Sequence, residues 1–280
     1  MRSEDKDKSR DALSEILRHY SDVDESSRLL TGWFQLEKAR TQELVLRHLA
    51  PPPLTVLDAG GGAGVYACWL ASLGYEVHLI DPVLKHVELA RTASAQQPTH
   101  PLASTAVGDA RRLEQGNETA DAILLLGPLY HLVDRADRMT CLREAHRVLR
   151  PRGILWAAGI SRFASLVNSL FEGFFDRPEF APILDRDLQE GQHRNPTGNP
   201  TFFTEAFFHR PNELAAELTE AGFEMLELVA VEGPGWLAQE FDRLWAIPEQ
   251  RERLLAAVRK VEHEPTLVGA SSHIMAIGRK

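Results

Sequence analysis

The stretch Val56-Leu57-Asp58-Ala59-Gly60-Gly61-Gly62-Ala63-Gly64 constrains this chain more than any other. A run of β-formers ends in a carboxylate, glycines crowd the turn, and a run of helix formers begins at Val65. Glycine lets a ligand approach the backbone there, and the helix that follows offers unpaired N–H groups. The turn reads as a cradle for a nucleotide-like ligand. It also sets the architecture, because strand, turn and helix form half of a βαβ unit, and such units build parallel sheets.

The alternation continues along the chain. YEVHLID is a strand ending at Asp81, a helix runs through Arg91, and a short strand at Ser104 to Val107 closes on Gly108-Asp109. ADAILLL, from Ala120, is almost uninterrupted in its apolar character, as the buried centre of a parallel sheet requires. A helix follows from about Arg135 to Leu149, stops at Pro151-Arg152-Gly153, and yields to the strand ILWAAGI. Residues 54–160 thus read as a continuous α/β core.

Around that core the pattern changes. Residues 1–11 are dense in charge of both signs and predict a disordered tail, and residues 12–53 predict a helical cap that ends at Pro51-Pro52-Pro53. Within it, Glu37 and Arg40 are read as a surface pair one helical turn apart. Residues 161–210, rich in Phe, Pro, Asn and Gly, interrupt the alternation and predict an insertion acting as a lid. Residues 211–280 return to the core, with FEMLELVAV and SSHIMAIGR as strands and a second insertion at about 232–265.

Composition narrows the function. The net charge of -9 opposes a general phosphate-backbone binder, which needs clustered Lys and Arg. Two cysteines, Cys68 and Cys141, supply neither a disulfide framework nor zinc-ligand spacing, so no metal is expected. No apolar run is long enough to cross a bilayer and the N-terminus lacks a signal-peptide core, which predicts a cytoplasmic protein.

The dehydrogenase fingerprint also fits in relaxed form, as Gly62-x-Gly64-x-x-Ala67. Against it, Asp58 would repel a pyrophosphate but could pair with a cationic ligand group. Together DAGGGAG, the acid in LIDP, GDA after the third strand, LLLGPLYHL at the fourth and REAHRVLRPRG before the fifth resemble the class I S-adenosylmethionine-dependent methyltransferases. The resemblance runs from about Leu54 to Ile160 and returns in the last strands.

It implies a Rossmann-like seven-stranded, mostly parallel sheet with an antiparallel last strand, and S-adenosyl-L-methionine as cofactor. Gly60, Gly62 and Gly64 would line the methionine portion, Asp81 would bind the ribose, Asp109 and Ala110 the adenine, and the Gly127 carbonyl the ammonium. Tyr20 and Arg28 resemble cap residues over the cofactor.

Methyl transfer from a sulfonium needs alignment and exclusion of water more than an elaborate catalytic apparatus. A hydroxyl or ammonium acceptor would also need a base, for which His131, beside Tyr130 past the fourth strand, is the candidate. For an anionic acceptor, Arg162, His193, Arg194, His209 and Arg210 are candidate orienting groups in and at the end of the insertion. The expected substrate is a small or medium-sized metabolite, acted on by a monomer or homodimer. A peptide or RNA acceptor, a nicotinamide-dependent oxidoreductase and a non-catalytic binding protein remain the alternatives.

Overall fold

The structure is a computed structural model that describes residues 28–280; the charged opening, the helix expected at 12–19 and Tyr20 lie outside the described residues. Nine strands and eleven α-helices are formed among the described residues. The first helix, α1, spans Phe34–His48, and the core then runs β1 (Thr55–Ala59), α2 (Val65–Ser72), β2 (Glu76–Asp81), α3 (Leu84–Ala95), β3 (Ser104–Val107) and β4 (Ala120–Leu125). A single turn, α4 (Pro128–His131), precedes α5 (Arg135–Val148) and the long β5 (Leu149–Ser161).

The strands β3, β2, β1, β4 and β5 lie side by side and parallel. Successive residues of a strand point to opposite faces, so near-continuous apolar runs feed two cores. Leu57, Ile123 and Leu155 pack on one face with α5, while Val56, Leu124 and Trp156 pack on the other with α2 and α1. The last strand, β9 (His273–Arg279), runs antiparallel along β5 from Ile154 to Ile160, and β8 (Glu224–Ala230) pairs outside it.

These seven strands are the sheet implied by the resemblance. Two more, β6 (Gln192–His193) and β7 (Ala206–His209), come from the insertion, and β7 pairs with β5 only at Ile160 and Ser161, beyond the stretch that β4 covers.

The insertion is more regular than its composition suggested. It holds α6 (Ala164–Glu172) and α7 (Ala181–Glu190), each ended by a left-handed glycine, Gly173 and Gly191. Phe174, Phe180, Ile183, Leu184 and Phe202 bury one another in a small core of their own. The chain then continues as α8 (Pro211–Glu220), β8, α9 (Phe241–Ala246), α10 (Pro248–Val261), α11 (Pro265–Val268) and β9.

Helix α1 is fastened to the sheet by buried polar contacts. The Trp156 Nε1 donates to the Leu44 carbonyl at 3.1 Å, and Arg40, wholly buried, donates to the Val231 carbonyl and to Glu262 and Glu43. The expected surface pair of Glu37 with Arg40 is corrected: Arg40 bridges α1 to the end of β8, and Glu37 pairs instead with Arg28. Helical spacing shows which residues share a face but not what that face is packed against. None of the helices among the described residues is long and apolar enough to cross a membrane.

Candidate functional site

In a parallel sheet the loops at the carboxyl ends of the strands open a crevice where neighbouring connections diverge. A cavity lies there, walled by the ends of β1, β2 and β4, by the loop after β3, and by α1 and β9. Asp58, Gly60, Gly62, Asp81, Asp109, Ala110 and Gly127, seven positions expected from sequence, all line it. Arg28, Tyr130 and His131 line it too. Gly64 does not; it is the left-handed N-cap of α2, packed on Ala90.

The glycine turn adopts positive φ at Gly60, Gly62 and Gly64. A Cβ at Gly60 would meet Pro128 at 2.6 Å, which keeps the β1 and β4 loops in contact. A Cβ at Gly62 would meet no protein atom within 4 Å and would stand in open space, so this glycine leaves room beside the backbone for a ligand.

Asp81 accepts the Gly62 and Val83 N–H groups at 2.9 Å each and contacts His86 Nδ1 at 3.1 Å. Its carboxylate is thereby fixed at the lip of the cavity, where a ribose diol would reach its remaining lone pairs. Asp109 is clasped by Arg111, which also reaches Asp137. Burial raises the Asp109 carboxyl, but the bonds from Arg111 outweigh it and hold the group below its ordinary range. Arg111 lines the cavity as well, a role that sequence reading did not assign.

Asp58 differs from both. It is buried at the end of β1, and its Oδ2 has no hydrogen-bond partner. Burial and then the neighbouring Asp81 charge push its pKa up to about 7, against one lowering bond from the Ala67 backbone. Such a carboxylate is suited to a cationic group, which would supply the missing partner and the missing charge.

At the opposite wall, Arg28 donates to both oxygens of Glu37, at 2.8 and 3.2 Å. Burial opposes the Glu37 charge, but Arg28 and His273 outweigh it and lower the pKa. Tyr66, whose hydroxyl has no hydrogen-bond partner, and His273 complete this wall. Neither was legible as a site residue: Tyr66 reads as an apolar position of α2, and His273 as the first residue of a terminal strand.

The structure places the candidate substrate residues of the insertion away from the cavity. Arg162 is buried and donates to the Phe208 and Gln189 carbonyls and to Glu213. His193 bonds Asp187 through Nδ1 and the Phe202 carbonyl through Nε2. His209 bonds Glu217, Arg194 faces Glu205 on the surface, and Arg210 caps α8. None of the five lines the cavity. The insertion meets the cavity wall at second hand, through Phe203, whose ring stacks with His131 at 6.4 Å.

Comparison with known proteins agrees with this geometry. Residues 57–157 match the family model described as a methyltransferase domain. Over 126 residues the chain is 32% identical to a ubiquinone biosynthesis O-methyltransferase of Methylocella silvestris, covering 44% of this chain and 47% of that protein. Over 132 residues it is 29% identical to the tRNA 5-carboxymethoxyuridine methyltransferase of Escherichia coli, covering 47% of this chain and 50% of that one. The chain thus spans about half the length of these curated relatives. Among solved structures, an S-adenosylmethionine-dependent methyltransferase of Methanosarcina mazei superposes with a TM-score of 0.58 at 21% identity, over 85% of this chain and 96% of that one, a likeness of fold.

Proposed function

We propose that residues 57–157, which match a methyltransferase domain, bind S-adenosylmethionine as a class I methyltransferase does, and that the chain methylates a small or medium-sized metabolite. The observation that carries this reading is the cavity itself: a glycine cradle, a buried Asp58 with an unpartnered oxygen, and Asp81 held by backbone N–H groups at its lip. The cofactor supplies an electrophilic methyl group on a sulfonium.

The protein's part is to bind, orient and keep water out. Gly60 and Gly62 give the backbone close access to the ligand, Asp81 takes the ribose hydroxyls, and Asp109 with Ala110 takes the adenine. Gly127 offers its carbonyl and Asp58 its carboxylate to the ammonium end. Arg28 closes the wall from above α1, and Tyr130 with His131 contacts the acceptor. A net charge of -9 and the absence of cavity-lining residues from the insertion favour a small acceptor that enters the cavity whole. An RNA acceptor is the second reading, favoured by the Escherichia coli relative and opposed by that charge.

Calorimetric titration with S-adenosylmethionine, and separately with NAD and NADP, tests the proposal. Micromolar binding of the sulfonium compound, weakened tenfold or more in Asp81→Ala, is the expected result. Binding of a nicotinamide nucleotide alone would overturn it.

A further inference from the structure

Strand β9 runs against its neighbours, so its first residue lies at the carboxyl edge of the parallel strands, opposite Ile160 of β5. That residue is His273, and its ring lines the cavity 6.3 Å from the ring of Tyr130. Its Nδ1 lies 2.6 Å from Oε1 of Glu232, which follows β8 and is wholly buried. Glu232 is itself locked: Oε2 accepts the His273 N–H at 2.9 Å and the Ser271 hydroxyl at 2.8 Å. Ser271 in turn accepts the backbone N–H groups of Glu232 and Gly233.

A histidine whose one nitrogen is held by a fixed carboxylate keeps its other nitrogen as the proton acceptor, in a set orientation. We propose that His273, oriented by Glu232, takes the acceptor's hydroxyl proton at Nε2 as the methyl group is transferred. This rests on the methyltransferase reading. The O–H bond breaks as the Nε2–H bond forms, the oxygen takes the methyl group, and the C–S bond pair stays with sulfur, leaving a neutral thioether. The imidazolium that results sits between Glu232 and Glu37, whose Oε2 is 3.9 Å from Nδ1.

The groups facing His273 are Glu37 of α1, Arg28 before it, Tyr66 of α2, Tyr130 and His131 of α4, and Glu232. Burial opposes its charge, but Glu37 and Glu232 together raise its pKa above the ordinary histidine value. That makes it a stronger base than a solvated imidazole. A divalent cation is the other occupant to weigh, since ligand atoms of Glu37, Glu232 and His273 lie within 4.8 Å of one another. Arg28 already covers Glu37, and Ser271 with His273 occupies Glu232, so a proton suits the cluster better than a metal.

The test is optical and needs no knowledge of the natural acceptor. The full chain, loaded with S-adenosylhomocysteine, is titrated with a nitrocatechol whose phenolate absorbs in the visible, at a pH below the free probe's own transition. Wild type should bind the probe as phenolate. His273→Gln should reduce the phenolate fraction tenfold or more, Glu232→Gln should reduce it less, and His100→Gln, an exposed histidine outside the cavity, should keep it. Calorimetry should show S-adenosylhomocysteine bound in all four.

A phenolate band equal in His273→Gln, an equal loss in His100→Gln, a probe bound without ionising, or a loaded protein that takes no probe would each overturn the proposal. Failure to bind S-adenosylhomocysteine in the wild type would overturn the methyltransferase reading instead. Histidine 15N shifts of the wild type give a check free of variants: the neutral His273 ring should carry its proton on Nδ1, and a proton on Nε2 would sink the assignment.

Discussion

The cavity and the insertion draw on the same residue types, arginine, histidine and carboxylate, yet treat them in opposite ways. In the insertion and the helices α5 and α8 beside it the groups close on one another. Arg138, 2% exposed, gives Glu217 three hydrogen bonds and the Leu132 and Val133 carbonyls one each, and His209 joins from β7. His193 bonds at both nitrogens, and Arg162 at three partners. Single atoms are left over there, Oδ1 of Asp187 and Nδ1 of His209, on groups otherwise engaged. In the cavity the unpartnered atom belongs to a residue of the lining, Oδ2 of Asp58, and a side chain at Gly62 would meet nothing. Closed polar networks hold a fold, whereas incompletely satisfied ones facing a cavity are ready for a ligand.

The largest effect should come from opening a closed network. Arg138→Ala leaves Glu217 buried without its main counter-charge, a loss of about 3–5 kcal/mol in a denaturant titration. The same pair sets an acid limit. Burial would raise the Glu217 carboxyl, but His209 and Arg138 hold it at about 2, below its ordinary 4.5. Its contribution to stability is therefore complete above 4.5 and is lost as pH falls through about 2. Acid unfolding of Glu217→Gln should lack that component.

Next in size is the cradle. Gly60→Ala meets Pro128 and forces a side chain into the left-handed region, which alone costs about 1–2 kcal/mol. Both stability and cofactor affinity should fall. Gly62→Ala carries the same left-handed cost but meets no atom, so it should lose less stability than Gly60→Ala for a comparable loss of affinity; equal stability losses in the two variants would remove the contrast between packed and open glycine.

A smaller effect separates the open carboxylate from the closed ones. Because Asp58 is raised to about 7 from 3.8, the unliganded fold holds that proton more tightly than the unfolded chain does. Its stability should therefore fall as pH rises across that window. Sulfonium affinity should move the other way, strengthening as pH rises through about 7, and Asp58→Asn should flatten both profiles. The smallest effect belongs to Arg194→Ala, whose surface pair with Glu205 spans 3.5 Å. It should shift stability by less than about 1 kcal/mol and leave cofactor affinity alone, and a change in acceptor KM would restore the insertion as a binding element.

The residues that repeat along the chain at short range were the legible ones. Val56 to Gly64, the acid ending YEVHLID, and Gly108-Asp109 are local patterns, and the structure brings all three to one cavity. The insertion histidines and arginines lie off the cavity, and sequence could not show it for a physical reason: a polar pair beside aromatics looks the same whether it faces a ligand or a buried carboxylate such as Asp187 or Glu217. His131 was visible because it follows a strand directly. His273 and Glu232 were not, since they stand 41 positions apart and meet only because β8 and β9 pair antiparallel.

The sequence by itself determined the βαβ order, the glycine cradle and the acids at the strand ends, because strand, turn and helix are set by neighbours in the chain. Only the tertiary structure decided which charged groups would be sealed against one another and which left facing the cavity. That choice is made by distant pairings of strands and helices, through the cost of burying a polar group without a partner, and no local pattern encodes it.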